Sequence, residues 1–317
     1  MGQRVCIIGG SGFVGRSIVD QAIAAGHQVR VACRHPERAR DLMVKGVEMI
    51  GTDVTDGRGI EAAVANQDVV IYLVGLLFEK GKQNFIAAHR DGVERVLNAC
   101  KQAGVGQYLH MSALGAGDVS ESEYACTKAE AESLVRNSEL NWTIFRPSII
   151  YGAGDNFFNQ FKAMSAALPV MPVISGSSLF QPVWVEDVAR AFVSSIGNPH
   201  VHSQVYDLGG PKTYSFEAML KLLMAELGRE RVFIPLPTIA AKAMAVFTSI
   251  MPTPPITLDQ IKLLKHDNVV TGEAFPALFG TAAALEDILP GFIGDSQVEG
   301  AQIRMNGCRT HYRKGGI

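Results

Sequence analysis

The chain has 317 residues, 47% hydrophobic and 19% charged, with a formal net charge of −2. That length holds one large α/β domain with a smaller second region, and that apolar content excludes wholesale disorder. The near-neutral balance, with no basic run before Arg309, excludes nucleic acid as the main partner.

The first element is an apolar run, Val5-Cys6-Ile7-Ile8, that stops at Gly9; a helical period (Phe13, Val14, Ile18, Val19, Ala22) starts just after Gly12. Strand, glycine turn and helix in that order, with glycines at 9, 12 and 15, make a dinucleotide-binding turn. Gly9 permits the sharp bend, Gly12 lets backbone approach a pyrophosphate, and Gly15 lets the helix lie against the strand. Ser11, Phe13 and Val14 complete the loop, and the helix N-terminus offers unpaired N–H groups to phosphate. Strands follow at 28–33, 47–51 and 68–75, then a helix at 82–103 and a strand at 107–111. A helix over 120–137 opens on Ser120 and Glu123 as a capping box, and a strand at 142–145 is stopped by Arg146-Pro147. This alternation predicts an α/β, Rossmann-type doubly wound parallel sheet with right-handed crossovers. Residues 1–150 form its nucleotide-binding core, to which 183–210 returns, and 151–317 form a smaller mixed C-terminal lobe. In that lobe the pattern predicts helices at 185–196, 215–227 (Ser215 as N-cap, Gly228 as C-cap) and 258–265, and a strand at 204–208. An apolar, proline-bounded stretch fills 235–255, and the last thirty residues read as loose.

Five cysteines (Cys6, Cys33, Cys100, Cys126, Cys308) lack C-x-x-C spacing, which suits a reducing compartment and argues against a zinc or other metal site. Strand pattern begins at Arg4, so no signal peptide is expected, and no apolar stretch reaches the roughly 20 residues that span a bilayer. The expected location is cytoplasmic.

The end of the second strand sets cofactor preference in this architecture. An acid there would select NAD through the ribose hydroxyls. The chain has Arg34 instead, with Arg38 a helical turn later and Arg30 on the strand itself. A guanidinium pairs with a 2′-phosphate, so NADP is preferred and NAD is the alternative. Asp53 is placed to accept from the adenine amino group, with Val54 against the ring; the alternative is a strand-end Asp making a local turn. Val74 and Gly75 would lie under the ribose and nicotinamide, with Pro147 bordering the same site.

Tyr124-Ala125-Cys126-Thr127-Lys128 puts a phenol and an ammonium on one helix face. A lysine beside a tyrosine lowers the phenol's pKa and equips it as acid or base in hydride transfer. Ser112, ending the fifth strand, would hydrogen-bond the same substrate oxygen. The alternative is a lysine that only binds the ribose and a tyrosine that only looks on.

From GGSGFVG through Tyr124 and Lys128 to Phe145-Arg146-Pro147 and Tyr151-Gly152, the chain resembles an extended short-chain dehydrogenase/reductase. Val183-Trp184-Val185-Glu186-Asp187-Val188-Ala189 and Tyr206-Asp207-Leu208-Gly209-Gly210 resemble later segments of that family. It is most similar to the atypical branch that holds the nucleotide-binding accessory subunit of respiratory complex I and its bacterial relatives. The residues carrying that match are 109–116, the helix around Ala88-His89-Arg90-Asp91-Gly92-Val93, and Gln260 to Asn268. The resemblance implies bound NADP(H), a Rossmann core and a small lobe. It also implies two functions: an oxidoreductase or epimerase using Ser112, Tyr124 and Lys128, or a non-catalytic nucleotide-binding subunit of a complex I-like membrane assembly. His89 stands near where typical members carry an active-site Asn, either lining the cleft or buried as a structural residue. Residues 238–251, apolar except for Lys242, would meet partner subunits or the inner face of the membrane, or form a core helix of the lobe. Phe157, Phe158, Phe161, Met164 and Trp184 suggest an apolar pocket for a small quinone or isoprenoid-like substrate.

Overall fold

A computed structural model describes residues 2–293 except Lys82, Ile250, Pro252 and Thr253. Cys308, the basic run 309–314 and most of the loose tail lie outside the described residues. The first half alternates β1 (Arg4–Ile8), α1 (Phe13–Ala24), β2 (Gln28–Cys33), α2 (Arg40–Val44), β3 (Glu48–Gly51), α3 (Ile60–Val64), β4 (Val69–Tyr72), α4 (Gly92–Ala103), β5 (Gln107–Met111), α5 (Glu123–Arg136) and β6 (Asn141–Pro147). The second half holds β7 (Ile150–Tyr151), α6 (Phe157–Ala167), β8 (Val170–Val173), β9 (Leu179–Phe180), β10 (Val183–Trp184), α7 (Val185–Ser195), β11 (Gln204–Leu208), β12 (Tyr214–Ser215), α8 (Phe216–Glu226), β13 (Val232–Pro235), α9 (Thr238–Thr248) and α10 (Leu258–Leu263).

Seven strands form one sheet in the order β11-β6-β5-β4-β1-β2-β3, and every pairing is parallel. The sheet is doubly wound, as expected, and its order reverses between β1 and β4. Its strands are apolar on both sides because helices cover both faces. On β1, Val5 and Ile7 pack toward α1 and α7, while Cys6 and Ile8 pack toward α3, α4 and α5. A separate core in the second lobe gathers Tyr151, Phe158, Phe180, Phe216, Met219 and Leu223.

Among the boundaries that differ from the sequence expectation, three have a visible local cause. The helix expected from residue 82 starts as a π-turn over Ile86–Asp91. Tyr72 Oη donates to the Ala88 carbonyl (2.6 Å) and sits where a Cβ on Gly92 would be, 2.9 Å away. A wider turn accommodates that hydroxyl in the ladder. The cap of α5 is Ser122, whose hydroxyl accepts from the Ala125 amide, rather than Ser120. β6 runs on through Pro147 because β11 pairs along its whole length and the Leu114 amide donates to the Pro147 carbonyl (2.9 Å). No helix among the described residues is long and apolar enough to cross a membrane.

Candidate functional site

The glycine turn lies at the carboxyl end of β1, beside the point where the strand order reverses. Gly9 has φ +87°, and its amide donates to the Ala32 carbonyl at 2.9 Å. A Cβ on Gly15 would stand 2.6 Å from Gly10 Cα and the Gly9 carbonyl oxygen, so α1 rests directly on the turn. Gly10, which the motif spacing passes over, is equally confined: its Cβ would meet a Val31 methyl at 2.8 Å. Val14 turns its side chain into the core, and among the described residues no side chain caps the first amides of α1 at the Gly12 N-cap.

Next to the turn, Ser11, Arg16, Arg34, His35, Arg38 and Ala39 line a cavity of about 220 Å3. Arg16 is anchored, with Nε donating to the Ser11 carbonyl and its guanidinium paired with Asp41. No side-chain hydrogen bond or ion pair engages Arg34 or Arg38 among the described residues. Arg30 does not belong to this group. It pairs with Glu48 (2.7 Å) and donates to the carbonyls of Ala62, Ala63 and Ala65, closing the end of α3. Asp53 makes the local turn: its Oδ1 accepts from the amide (3.0 Å) and hydroxyl (2.7 Å) of Thr55. Val54 is buried against Gly92 rather than free for an adenine ring.

On α5, Lys128 is buried and its Nζ donates to the Met111 carbonyl at 3.0 Å. A Cβ on Gly75 would lie 3.6 Å from that Nζ, so the ammonium, the loop after β4 and the glycine turn converge. Burial pulls the Lys128 pKa down to about 8. The expected lowering of Tyr124 does not occur. Burial, with a smaller contribution from the Asp259 carboxylate, pushes its phenol up to about 12. The Tyr124 phenol is therefore protonated at neutral pH. Its ring is met edge-on by Phe85 (5.9 Å) and His89 (5.4 Å).

His89 is buried and structural. The Leu76 amide donates to its Nε2 (3.0 Å), which leaves Nδ1 to donate to Thr127 Oγ1 (3.1 Å). Burial, then the charge of Lys128, lower its pKa to about 2. A neutral imidazole thus pins the loop after β4 to the helix of Tyr124 and Lys128.

The NAD(P)H-binding family profile matches residues 9–199. The chain belongs to the NAD(P)H-binding family. Within the extended short-chain dehydrogenase/reductases it stands close to the complex I accessory subunit. NADH dehydrogenase (ubiquinone) 1 alpha subcomplex subunit 9 of Arabidopsis thaliana is 32% identical, over 84% of this chain and 71% of that protein. A ceramide reductase of Caulobacter vibrioides is 32% identical, over 62% of this chain and 61% of that protein. The Citrobacter triphenylmethane reductase structure complexed with NADP(H) superposes with a TM-score of 0.74 at 19% identity, over 90% of this chain and 98% of that one. It shares the fold.

The family's nucleotide turn is therefore assembled as its spacing predicts, and of the expected Tyr/Lys/Ser set Ser112 has its hydroxyl buried, one residue from the carbonyl that Lys128 engages. Strand alternation leaves Met111 and Ala113 partly exposed and buries Ser112. Among the described residues the Ser112 hydroxyl has no hydrogen-bond partner of good geometry, and it lies near enough to Glu132 to favour that carboxylate's charge. Glu132, two turns beyond Tyr124, takes Arg146 Nε on one oxygen (2.7 Å) and Nη2 on the other (2.6 Å). No sequence pattern had singled out that pair, although Arg146 lies in the Phe-Arg-Pro segment. The aromatic residues expected to line a pocket are mostly core: Phe158 is buried, and Phe157, Phe161 and Trp184 pack against the same cluster.

Proposed function

We propose that this protein is an NADP(H)-dependent reductase of an apolar carbonyl or quinone, with Tyr124 as proton donor. The observation that carries the cofactor choice is the guanidinium-lined cavity beside the glycine turn, with Arg34 and Arg38 uncommitted and no carboxylate in its lining. That cavity takes the 2′-phosphate; the turn Gly9–Ser11–Gly12–Phe13–Val14–Gly15 takes the pyrophosphate on the α1 N-terminus. Lys128 reaches a ribose hydroxyl from below Gly75, with Val74 and Pro147 bordering the same pocket. When bound, the reduced nicotinamide supplies a hydride. Tyr124, a protonated phenol at neutral pH, then delivers the proton to the substrate oxygen. Asp53 and Val54, engaged in a turn and in the core, have no part in this reading, nor does the buried Ser112.

Residues 1–150 with 183–210 hold the nucleotide, and the remainder covers the nicotinamide side. An apolar substrate is supported by the relative named as a ceramide reductase. It is supported also by α9, which buries Ala241 and Ala245 while Ile239 (84%) and Phe247 (79%) stand exposed. Such a face suits the peripheral surface of a membrane, where an apolar substrate resides. The same face favours a second reading, in which the protein is a nucleotide-holding subunit of a complex I-like assembly, as the Arabidopsis relative's name describes.

Calorimetric titration with NADPH and NADH tests the cofactor assignment. NADPH is expected to bind at least about tenfold more tightly, and Arg34→Ala with Arg38→Ala should equalise the two. Oxidation of NADPH, followed at 340 nm with a short-chain quinone and with vesicle-borne long-chain ketones, separates the readings. Turnover lost in Tyr124→Phe supports the reductase. Tight NADPH binding without turnover on any of them supports the subunit.

A further inference from the structure

Asp259, at the start of α10 in the second lobe, reaches across to the N-terminus of α5. Its Oδ2 accepts from Ser122 Oγ (2.7 Å) and the Tyr124 amide (3.2 Å), and its Oδ1 accepts from the Glu123 amide (3.0 Å). Three donors on consecutive residues converge on one carboxylate more than 130 positions along the chain. A helix N-terminus carries unpaired amides and a partial positive charge, and a carboxylate satisfies both. The carboxylate is itself held firmly. Thr257 and Gln260 form a reciprocal capping box on α10 (3.0 and 3.2 Å), and Lys262 Nζ lies 3.6 Å from Asp259 while donating to the Glu121 carbonyl (2.7 Å). A few residues on, Asn268 Nδ2 donates to the Leu114 carbonyl (3.0 Å), and Asn268 Oδ1 accepts from Ser148 Oγ (2.6 Å). The segment 257–268 thus grips both ends of the connection from β5 to α5.

We propose that Asp259 is a positioning residue for Tyr124: from the second lobe it caps the first turn of the helix that bears the phenol and so fixes where the ring stands. The proposal rests on the reading of Tyr124 as proton donor. The cap orients the ring against Phe85 and His89, and the same carboxylate adds, after burial, to what opposes ionisation of the phenol. The other charged and titratable groups around this junction are Lys262 and His266 from the second lobe, His89 from the π-turn, and Glu121, Glu123 and Lys128 on the flanking segment and α5.

The test uses the full chain with ring-labelled tyrosine and NMR, the Tyr124 signal being assigned by its loss in Tyr124→Phe. Asp259→Asn keeps an acceptor oxygen for the cap and removes the charge. Its Tyr124 titration midpoint is expected to fall by at least about half a pH unit, with NADPH affinity unchanged. Asp259→Ala should in addition speed exchange of the Glu123 and Tyr124 amides about tenfold or more. Glu123 and Tyr124 amides that exchange alike in wild type and Asp259→Ala, with the Tyr124 ring signal unmoved, overturn the proposal. Failure of the reductase reading has a different signature: no NADPH oxidation sensitive to Tyr124→Phe, whatever the phenol's titration.

Discussion

The imidazole of His110 stacks on the phenol of Tyr72, with 5.6 Å between centroids and 20° between planes, and neither of its nitrogens has a hydrogen-bond partner among the described residues. Burial, then the charge of Lys128, hold its pKa well below the ordinary value. The unfolded chain takes up a proton here near pH 6.5, and the folded chain does not. Below that pH the unfolded state binds more protons, so stability falls as the pH falls. His110→Phe keeps the stacking and removes two unsatisfied atoms. It should stabilise the protein by about 1–3 kcal/mol at pH 7 and by more at pH 5.5. Urea unfolding at both pH values checks this, and equal midpoints for the two proteins would count against an orphaned imidazole. His89, whose pKa is also lowered, to about 2, leaves part of the acid sensitivity in place.

Lys128 gives the opposite end of the pH scale. Burial lowers its pKa from 10.5 to about 8. Between those values the unfolded chain holds a proton that the folded chain lacks, so stability rises with pH across that window. Below pH 8 the folded protein carries a buried ammonium that costs no more than about 3 kcal/mol. Lys128→Met loses one bond to the Met111 carbonyl but removes that cost. Without nucleotide, the variant should match or exceed wild type in stability at pH 7 and lose that advantage by pH 9.5, while NADPH binds it more weakly. Denaturation at the two pH values decides; a variant less stable than wild type at pH 7 would refute the burial cost.

Gly12 and Gly15 separate local fit from ligand fit. A Cβ at position 15 meets backbone at 2.6 Å, and backbone cannot swing aside. At position 12, φ is −77° and the nearest atom is the Gly9 carbonyl at 3.3 Å. Gly15→Ala should therefore destabilise the free protein by about 2 kcal/mol or more, and Gly12→Ala by less than about 1 kcal/mol. Both should weaken NADPH binding, the second through the ligand alone. Thermal unfolding without nucleotide, beside calorimetric titration, separates the two; equal destabilisation would show that position 12 is confined by the fold.

The nucleotide turn and the doubly wound parallel sheet were legible because each rests on local signals: a glycine triplet, apolar runs and short loops. β2, β5 and β11 begin and end where the residue pattern alone put them. The candidate site was less legible, for a physical reason in each case. Tyr124 and Lys128 share a helix face, but Lys128 turns its ammonium to the Met111 carbonyl and the Tyr124 phenol answers to Asp259, which lies on a distant element. Ser112 follows the strand's alternation into the interior. Arg30 and Arg34 look alike in sequence, and only the neighbouring end of α3 distinguishes a structural guanidinium from an uncommitted one.

Glu132 and Arg146 tie α5 to β6 beneath the Tyr124 helix, and Arg136 adds a third bond at 3.1 Å. Burial alone would raise the Glu132 pKa, but hydrogen bonds from Arg146 and its neighbours hold it below the ordinary carboxylate value. The sign follows: its contribution is fully present above the unfolded value of about 4.3 and is lost as the pH falls through the lower folded value. Glu132→Leu leaves a half-buried guanidinium facing an apolar side chain and should cost about 3–5 kcal/mol. Glu132→Leu with Arg146→Leu removes both charges and should recover most of that loss. Chemical denaturation of the two single variants and the double variant closes the cycle. A double variant as unstable as the sum of the singles would mean that the pair does not act as a unit and that α5 is held to β6 by packing alone.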